Sequence, residues 1–465
     1  MTAIPILVGA YATSTGDFVQ SLPVNKEPVV IGTGLSNGYL RPAQGIRQIG
    51  QGPGGDRGGI NWNDTCYRVM GSQLCTVDAA GAVVSLGNVG TGGPVAMDYS
   101  FDRLAINSGT DLYYLFGGAL NKVTDPDLGP VIDMLWISGY FATTDGVSIV
   151  VTELNDPTSV DPLKYGSAED DPDPILGLMK VRNELYALNR NTIQSFNNVG
   201  GNGFPFAVNP GGQIQKGCVG TRAKAYFADT FAFVGSGRNE ALGVYVASAG
   251  NALKISTSEI DELLAGLSIA DAAAIECEAR VDLDEQRFLV HLPTCTLVYF
   301  VSASKLAGEN IWCKWSAGVE GELPYAGRHA VQVYGLWMVG DTVGRLGVLD
   351  SSISTRFGAI VGSRVDTKLI FDNAKRGIIN TLELIGSPGY APDGVSPSVF
   401  ISTTTDGRVW SVERMIPTGV LGQRNKRVQI RLGRRFDLWC GVRLRTADSG
   451  MMSVAVLNAE VEGLG

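Results

Sequence analysis

Two groups of charged residues are the strongest local signals of chemistry in this chain. The first group places four carboxylates in five positions: Glu169, Asp170, Asp171 and Asp173. Dense carboxylates suit calcium, but Pro172 and Pro174 break the alternate-residue ligand pattern, and the glycine that turns a calcium loop is missing. We interpret the segment as a solvated acidic loop, and no metal site is predicted.

The second group is basic and lies near the C-terminal end. Between Arg408 and Arg445 there are ten basic residues and two acidic ones, in a chain whose formal net charge is −9. Six of the ten are candidates for a protein interface: Arg424, Lys426, Arg427, Arg431, Arg434 and Arg435. Arginine predominates, and its planar guanidinium pairs with carboxylates in bidentate fashion. The solvated face of an ordinary amphipathic strand is an equal alternative, because Arg443 and Arg445 alternate with apolar residues.

Catalytic motifs find little support in the sequence. His291 and His329 are the only histidines, so His-centred catalysis has almost no raw material, and we expect both to be structural. Residues 34–38 fit the G-x-S-x-G pattern, yet Pro42 follows too soon for the helix that a nucleophile elbow requires. No phosphate-binding glycine motif occurs. We therefore predict a protein that is not an enzyme, with no catalytic residues and no cofactor.

Composition indicates a globular chain made of many short strands. Hydrophobic residues make up 45% of the 465 residues, which suffices for a core, and the 60 glycines imply many turns. The seven cysteines are odd in number and include no C-x-x-C, so we expect reduced, buried thiols in a protein made in a reducing cytoplasm. No apolar run approaches the ~18 residues of a membrane span, and no signal peptide is predicted.

The strand pattern predicts an all-β fold dominated by a divergent β-propeller. From about residue 60, runs of β-favouring residues form about seven clusters at intervals of roughly 35 to 50 residues, close to the length of one four-stranded blade. We assign the propeller to 56–352, after an extended N-terminal arm and linker at 1–55. Ser256 and Glu259 fit a capping box, and the apolar spacing after them predicts a short inserted helix near 257–266.

From about residue 353 the strands become longer and alternate more clearly. Val428, Ile430 and Leu432 fall on one face of such a strand, and Gln429 and Arg431 fall on the other. Residues 353–465 are therefore predicted to form a C-terminal β-sandwich-like domain.

Several short fragments stand in the order in which one family has them. They are residues 22–25, 38–41 with 45–46, 66–69, 215–217, 227–233, 372–374, 403–407 with 413–416, and 426–427 with 433–435. Each fragment alone is weak, but their co-linearity extends over nearly the whole chain. On these fragments the sequence resembles the packaged-DNA stabilization proteins of short-tailed bacteriophages.

The resemblance implies a structural protein of the virion tail, the tail hub or nozzle, assembled in the cytoplasm of the host bacterium. Members of this family form a hexameric ring below the portal and its adaptor protein, continue the DNA channel, and hold packaged DNA until ejection. They also meet the tail needle or plug and the tail spikes or fibres. Six copies at −9 each would carry a formal charge of −54, so we expect double-stranded DNA to pass without tight binding.

The resemblance to a tail ring leads to a prediction for each of the two charged groups. We predict that Glu169, Asp170, Asp171 and Asp173 face solvent or the channel, and that residues 424–435 lie at a protein–protein contact.

Two other functions stay open on the sequence alone. A propeller module that binds or cleaves host-surface glycan would need paired carboxylates or stacked aromatic rings near the propeller axis. The seven tryptophans offer such rings, but their irregular spacing favours core positions. Direct DNA binding through the C-terminal arginines would give retention on DNA that falls steeply with salt.

Overall fold

The structure is a computed structural model that describes residues 2–12, 16–32, 34, 36–154, 156–168, 171–321, 323–370 and 376–464. Residue contacts divide the chain into two compact units. The first unit comprises Met1–Arg47, Val281–Ala326 and Leu349–Gly465, and the second comprises Gln48–Arg280 and Gly327–Val348.

Six strands lie within residues 1–51. They are β1 (Thr2–Ile4), β2 (Gly9–Ala12), β3 (Phe18–Ser21), β4 (Lys26–Val29), β5 (Tyr39–Pro42) and β6 (Gly45–Gln51).

Seven antiparallel sheets, here called sheets one to seven, then follow one another along the chain. Sheet one contains β7 (Asp56–Trp62), β8 (Thr65–Met70), β9 (Gln73–Val77) and β10 (Val83–Asn88). Sheet two contains β11 (Ala96–Tyr99), β12 (Arg103–Ser108), β13 (Asp111–Phe116) and β14 (Ala119–Lys122). Sheet three contains β15 (Asp133–Ile137), β16 (Tyr140–Thr144), β17 (Ser148–Glu153) and β18 (Asp156–Ser167). Sheet four contains β19 (Ile175–Val181), β20 (Glu184–Asn189), β21 (Ile193–Asn198) and β22 (Phe206–Val208).

The next three sheets include the helical segments of the chain. A single 3-10 turn, Pro210–Gly212, precedes sheet five, which contains β23 (Gly217–Cys218), β24 (Lys224–Phe227), β25 (Thr230–Ser236), β26 (Gly243–Ser248) and β27 (Asn251–Lys254). Helices α1 (Ser258–Ala265) and α2 (Ile269–Ala273) come next. Sheet six contains β28 (Glu276–Asp282), β29 (Glu285–His291), β30 (Thr296–Phe300) and β31 (Trp312–Trp315), with helix α3 (Val301–Ala307) between its last two strands. Sheet seven contains β32 (Arg328–Val333), β33 (Leu336–Gly340) and β34 (Arg345–Asp350), and β6 is its fourth strand.

Tight hairpins shape these sheets. Five hairpin turns, each in a different sheet, have positive φ at both of their central residues. These turns are Asn63–Asp64, Ser138–Gly139, Ala228–Asp229, Leu283–Asp284 and Tyr334–Gly335. Positive φ at both positions defines the type I′ turn, whose twist matches that of the flanking strands. Short connections of this kind keep successive strands antiparallel neighbours, which is the arrangement of a propeller blade.

Adjacent sheets pack through apolar cores. Leu74 of sheet one and Leu104 of sheet two are fully buried in one such core. Tyr114 of sheet two meets Phe141 of sheet three with ring centroids 5.2 Å apart. Full burial of each large side chain stabilises the fold by about 1.5–3 kcal/mol, so these seams hold neighbouring blades together.

The remaining strands form two further sheets. They are β35 (Ser363–Asp366), β36 (Arg376–Gly386), β37 (Ser398–Thr404), β38 (Arg414–Pro417), β39 (Val428–Phe436), β40 (Gly441–Thr446) and β41 (Val454–Leu464). One sheet has the order β39-β36-β41-β5-β4, with β1 paired to β41, and the other has the order β35-β40-β37-β38. Leu382 and Leu457 of the first sheet and Ile401 and Val442 of the second share one buried core. The prediction of an all-β fold with a propeller of about seven blades and a C-terminal β-sandwich is confirmed.

Two local sequence signals can be compared with the structure directly. Along β39, Val428 is buried while Gln429 and Arg431 are exposed, as the alternation predicts. At α1, Thr257 and not Ser256 is the N-cap residue, and the Thr257 side chain makes no capping hydrogen bond. Ser256 lies one residue before the N-cap and donates to the Asp261 carboxylate at 2.7 Å.

All seven cysteines are free thiols, and six of them are buried. Among the described helices, none has the length and apolar character needed to span a membrane.

Candidate functional site

Seven strands, one from each propeller sheet, line a single cavity of about 460 Å³. Charged side chains converge in it from several sheets: Asp98, Asp133, Lys180, Arg222, Lys224, Glu276, Glu278 and His329. This cavity is the central channel of the propeller. Its chemistry depends on how these charges are paired.

Asp133 of β15 is a channel carboxylate that accepts hydrogen bonds from two other sheets. It accepts from Lys224 Nζ at 2.7 Å, from Arg222 Nη1 at 3.0 Å and from the Leu178 backbone N–H at 2.9 Å. Burial alone would raise the pKa of Asp133, but the Lys224 and Arg222 charges outweigh it and hold the pKa below its ordinary value. The Asp133 carboxylate of sheet three therefore connects that sheet by hydrogen bonds to Leu178 of sheet four and Lys224 of sheet five.

A second cross-channel pair joins sheets two, three and four. Lys180 Nζ of β19 donates to Asp98 Oδ2 at 2.6 Å and to the Trp136 carbonyl oxygen at 2.8 Å. Asp98 also accepts from the Trp136 N–H at 2.7 Å. The ion pair thus reaches past sheet three, and the three sheets are tied by charge-assisted hydrogen bonds.

The third cluster centres on His329, where sheet seven meets sheets one and six. His329 Nδ1 lies 2.6 Å from Asp56 Oδ2, and Nε2 lies 2.9 Å from Glu276 Oε2. Asp56 also forms a bidentate pair with the buried Arg68, with both distances 2.8 Å. Burial would lower the pKa of His329, but the two carboxylates raise it to about 10.

Both ring nitrogens of His329 are therefore protonated donors near neutral pH. The residue also has a left-handed backbone, with φ of 51°, and its N–H donates to Glu278 Oε1 at 2.5 Å. A histidine with neither nitrogen free cannot accept a proton from a substrate. The geometry assigns His329 to closing the propeller ring, in line with the structural role predicted for it.

The predicted basic interface falls on and beside β39, the outer strand of its sheet. Two of its members already have partners: Arg427 forms a bidentate pair with Glu383, and the Arg424 guanidinium lies 3.9 Å from the centre of the Tyr390 ring. Arg431 and Arg435 are exposed, and no carboxylate of the described residues pairs with either. Uncommitted guanidinium groups at a sheet edge are free to bind an external carboxylate.

The other two members of this group are half-buried. Lys426 and Arg434 are each partly covered, and the Arg434 Nε atom is buried without a hydrogen-bond partner in the described residues. The Arg414 side chain of β38 donates to the Arg431 carbonyl oxygen at 2.9 Å. A side chain, and not a neighbouring strand, therefore bonds to the backbone at this part of the β39 edge.

The predicted acidic loop is described only in part. Glu169 and Asp170 lie outside the described residues. Asp171 is buried and forms a bidentate ion pair with Arg238, while Asp173 is half-buried and accepts from the Asn191 N–H and the Asn189 side chain. The burial of Asp171 does not fit the prediction that its side chain faces solvent or the channel, because its carboxylate is held by Arg238; for Glu169 and Asp170 the exposure stays a prediction.

Two family models match the chain. One, described as bacteriophage P22 Gp10, β-propeller, matches residues 2–354, and the other, described as bacteriophage P22 Gp10, β-sandwich, matches residues 362–462. The chain belongs to the bacteriophage P22 Gp10 family. Its resemblance to the phage packaged-DNA stabilization proteins is thereby confirmed.

Individual relatives of this Gp10-family chain were compared in sequence and structure. The tail hub protein gp10 of Salmonella phage P22 is 27% identical over 469 residues, which cover 96% of each chain. Among solved structures, the Neurospora crassa Pan2 WD40 domain has a TM-score of 0.42 at 10% identity, covering 65% of this chain and 94% of that domain. PorZ of Porphyromonas gingivalis has a TM-score of 0.39 at 11% identity, covering 79% of this chain and 46% of PorZ. Both TM-scores are too low to support a conclusion about function.

Reasoning from the sequence missed the channel charges of this Gp10-family protein. Asp98, Asp133 and Lys180 each interrupt an otherwise apolar strand that opens a four-stranded cluster. A charge recurring in the first strand of successive repeats is the signal that points to the propeller axis. That signal becomes readable only when the repeats are aligned by strand number.

Proposed function

We propose that this chain is a structural protein of a phage tail and has no enzymatic role. In this proposal, six copies form a hub or nozzle ring below the portal and its adaptor. The ring extends the DNA channel, stabilises packaged DNA, and holds the needle and the spikes or fibres. The observation that carries the proposal is the 27% identity to a tail hub protein over 96% of both chains, together with matches to both domains of the family.

The charge network of the propeller channel supports a DNA path that lies between copies. B-DNA has a major groove about 12 Å wide and 8.5 Å deep. Such a duplex is too wide for a cavity of about 460 Å³, whose wall includes the Asp98–Lys180 and Asp133–Lys224 pairs. A ring of several copies provides the opening that the single propeller lacks.

The charge of the chain supports passage rather than retention of DNA. With a formal net charge of −9, a ring wall with few exposed cations repels phosphate and releases no counterions on contact. In this proposal the C-terminal arginines bind protein and not DNA.

The glycan-directed alternative requires exposed aromatic rings near the propeller axis. Trp312 and Trp315 are instead fully buried in β31 of sheet six, and the other five tryptophans are half-buried. The matches to both domains of the family support the tail proposal over this alternative.

The proposal is tested with a nonsense mutation early in this gene of the parent virus. Particles are collected from a non-suppressing host, counted by electron microscopy, and assayed for nuclease-protected DNA. The same mutant grown with the wild-type gene on a plasmid is the control. We expect capsids that fill, lack the lower tail and lose their DNA. Full, stable particles that fail only at attachment or penetration would move the assignment to the glycan alternative.

A further inference from the structure

The outer part of sheet three and the loop before it carry an acidic surface, in which Asp127 and Asp156 are exposed and the other members are half-buried. We define the sheet-three acidic surface by five residues: Asp125, Asp127, Asp145, Asp156 and Asp161. Asp125 accepts from the Val160 N–H at 3.1 Å, and the Tyr165 hydroxyl donates to the Asp127 carbonyl. The pKa of Tyr165 is raised mainly by partial burial, and the negative charges of Asp127, Asp145 and Asp125 add to this effect.

Apolar side chains are exposed beside these carboxylates. Strand β18 is the outer strand of sheet three, and its residues Leu163 and Tyr165 are 80% and 39% exposed. Val147, at the turn before β17, is 78% exposed. Exposed apolar residues within a charged rim have the composition of a protein-binding surface.

The first unit carries a surface of opposite charge, on and beside β39. We define the C-terminal basic surface by the six interface candidates: Arg424, Lys426, Arg427, Arg431, Arg434 and Arg435. Apolar side chains are exposed in the flanking segments as well, with Met415 and Leu438 both 62% exposed. The positive φ of Gly433, 60°, and the outward arginines oppose pairing of β39 with an arbitrary strand. This edge selects its partner by charge.

We propose that the C-terminal basic surface of one copy docks onto the sheet-three acidic surface of a second copy. Among the described residues, no carboxylate pairs with Arg431 or Arg435, and no cation pairs with the exposed Asp127. The two surfaces match in charge, and each has an apolar component. Because they are different surfaces, the contact is head-to-tail and propagates into a closed ring or a filament. This inference rests on the proposed tail-ring function and names the contact that builds the ring.

A crosslinking experiment tests the contact directly. Asp127→Cys and Arg435→Cys are made separately and together, and a bismaleimide reagent is applied to purified protein and to virus particles complemented with each variant. The native thiols do not compete strongly, because six of the seven are buried. We expect the double variant to give a ladder of multimers, the mixed single variants to give dimers only, and each single variant alone to give no product. Glu262→Cys with Lys305→Cys, two exposed helical positions, is the matched control and should give none.

Charge exchange provides the second measurement. Arg431→Asp with Arg435→Asp, or Asp127→Arg with Asp156→Arg, should lower incorporation into particles at least tenfold, since close charge pairs across interfaces are strongly coupled. Combining all four substitutions in one chain should restore incorporation to within a few-fold of wild type.

The outcomes separate this inference from the proposed function. Self-crosslinking of a single-cysteine variant shows a two-fold contact and overturns the inference. A second outcome is that both charge-reversed variants enter particles at the wild-type level and the double cysteine variant gives no ladder. In that case these surfaces bind another protein or nothing, and the inference is overturned while the tail function stands. Absence of the wild-type chain from particles contradicts the proposed function itself, and crosslinking of the purified protein then decides the contact independently.

Discussion

Replacement of Asp133 should destabilise the propeller far more than replacement of a surface aspartate. The Asp133 side chain is only 3% exposed, and Lys224, which pairs with it, is 7% exposed. Asp133→Asn keeps the shape of the side chain but leaves the Lys224 and Arg222 charges without their counter-ion. Removing one partner of a buried pair costs about 3–5 kcal/mol, so we expect a loss of about 3 kcal/mol or more in the free energy of unfolding.

The matched control is Asp102→Asn in sheet two. Asp102 pairs with Arg103 at 2.9 Å, but its side chain is 51% exposed. Exposed pairs contribute about 0–1 kcal/mol, so this variant should lie within about 1 kcal/mol of wild type. The comparison holds the chemical change constant and varies only burial.

Urea unfolding gives the overall change, and hydrogen exchange of peptides that cover β15 and β24 locates it. Amides of both strands should exchange at least a hundredfold faster in Asp133→Asn, since 1.4 kcal/mol corresponds to a factor of ten. Equal effects of the two substitutions on unfolding and exchange would refute the argument that the channel charges bind the blades together.

Three further predictions follow from the charges. Burial lowers the pKa of Lys26 to about 8, partly offset by Asp448. Between pH 8 and 10.5 the folded chain therefore binds fewer protons than the unfolded chain, and its free energy of unfolding increases as pH rises. Lys26→Met removes the cost of the buried charge, so the excess of its free energy of unfolding over wild type, measured in urea, should shrink by about 3 kcal/mol from pH 7 to pH 11. A difference that stays constant with pH would contradict this. The His329 pKa of about 10 implies stabilisation that is complete below the unfolded pKa of ~6.5 and lost as pH rises through 10, so His329→Gln should cost about 3–5 kcal/mol at pH 6 and much less at pH 10.5; a loss independent of pH would exclude the ion-pair explanation. Purified protein should leave immobilised DNA at or below ~0.15 M salt, and Arg431→Ala with Arg435→Ala should not change that concentration; earlier elution of the variant would favour DNA binding by the arginines.

Local sequence patterns were sufficient for the fold class. Glycine-punctuated β runs at blade-length intervals predict a propeller of about seven sheets, and the alternation from Val428 to Leu432 predicts the face of β39 that packs on the core. These features depend on neighbouring residues, whose side-chain direction follows from strand geometry alone.

The pairings between distant segments could not be predicted in the same way. Strand β1 pairs with β41, aligning Thr2 with Ala459, and β6 completes sheet seven beside β34. Both pairings join segments separated by most of the chain, and short strands with weak alternation specify register poorly. The channel charges lie one on each of several blades, so the pairings of Asp133, Lys224 and His329 become visible only once the blades are arranged around one axis.

A cryo-electron microscopy reconstruction of the parent virion's tail is the most direct test of the central claim. The account predicts a ring of copies below the portal in which each copy shows a seven-bladed propeller and a β-sandwich, with DNA or its path in the lumen between copies. Sheet three of one copy should face the β39 edge of the next. A tail without this chain, or a single propeller whose own axis carries the DNA, would contradict the account.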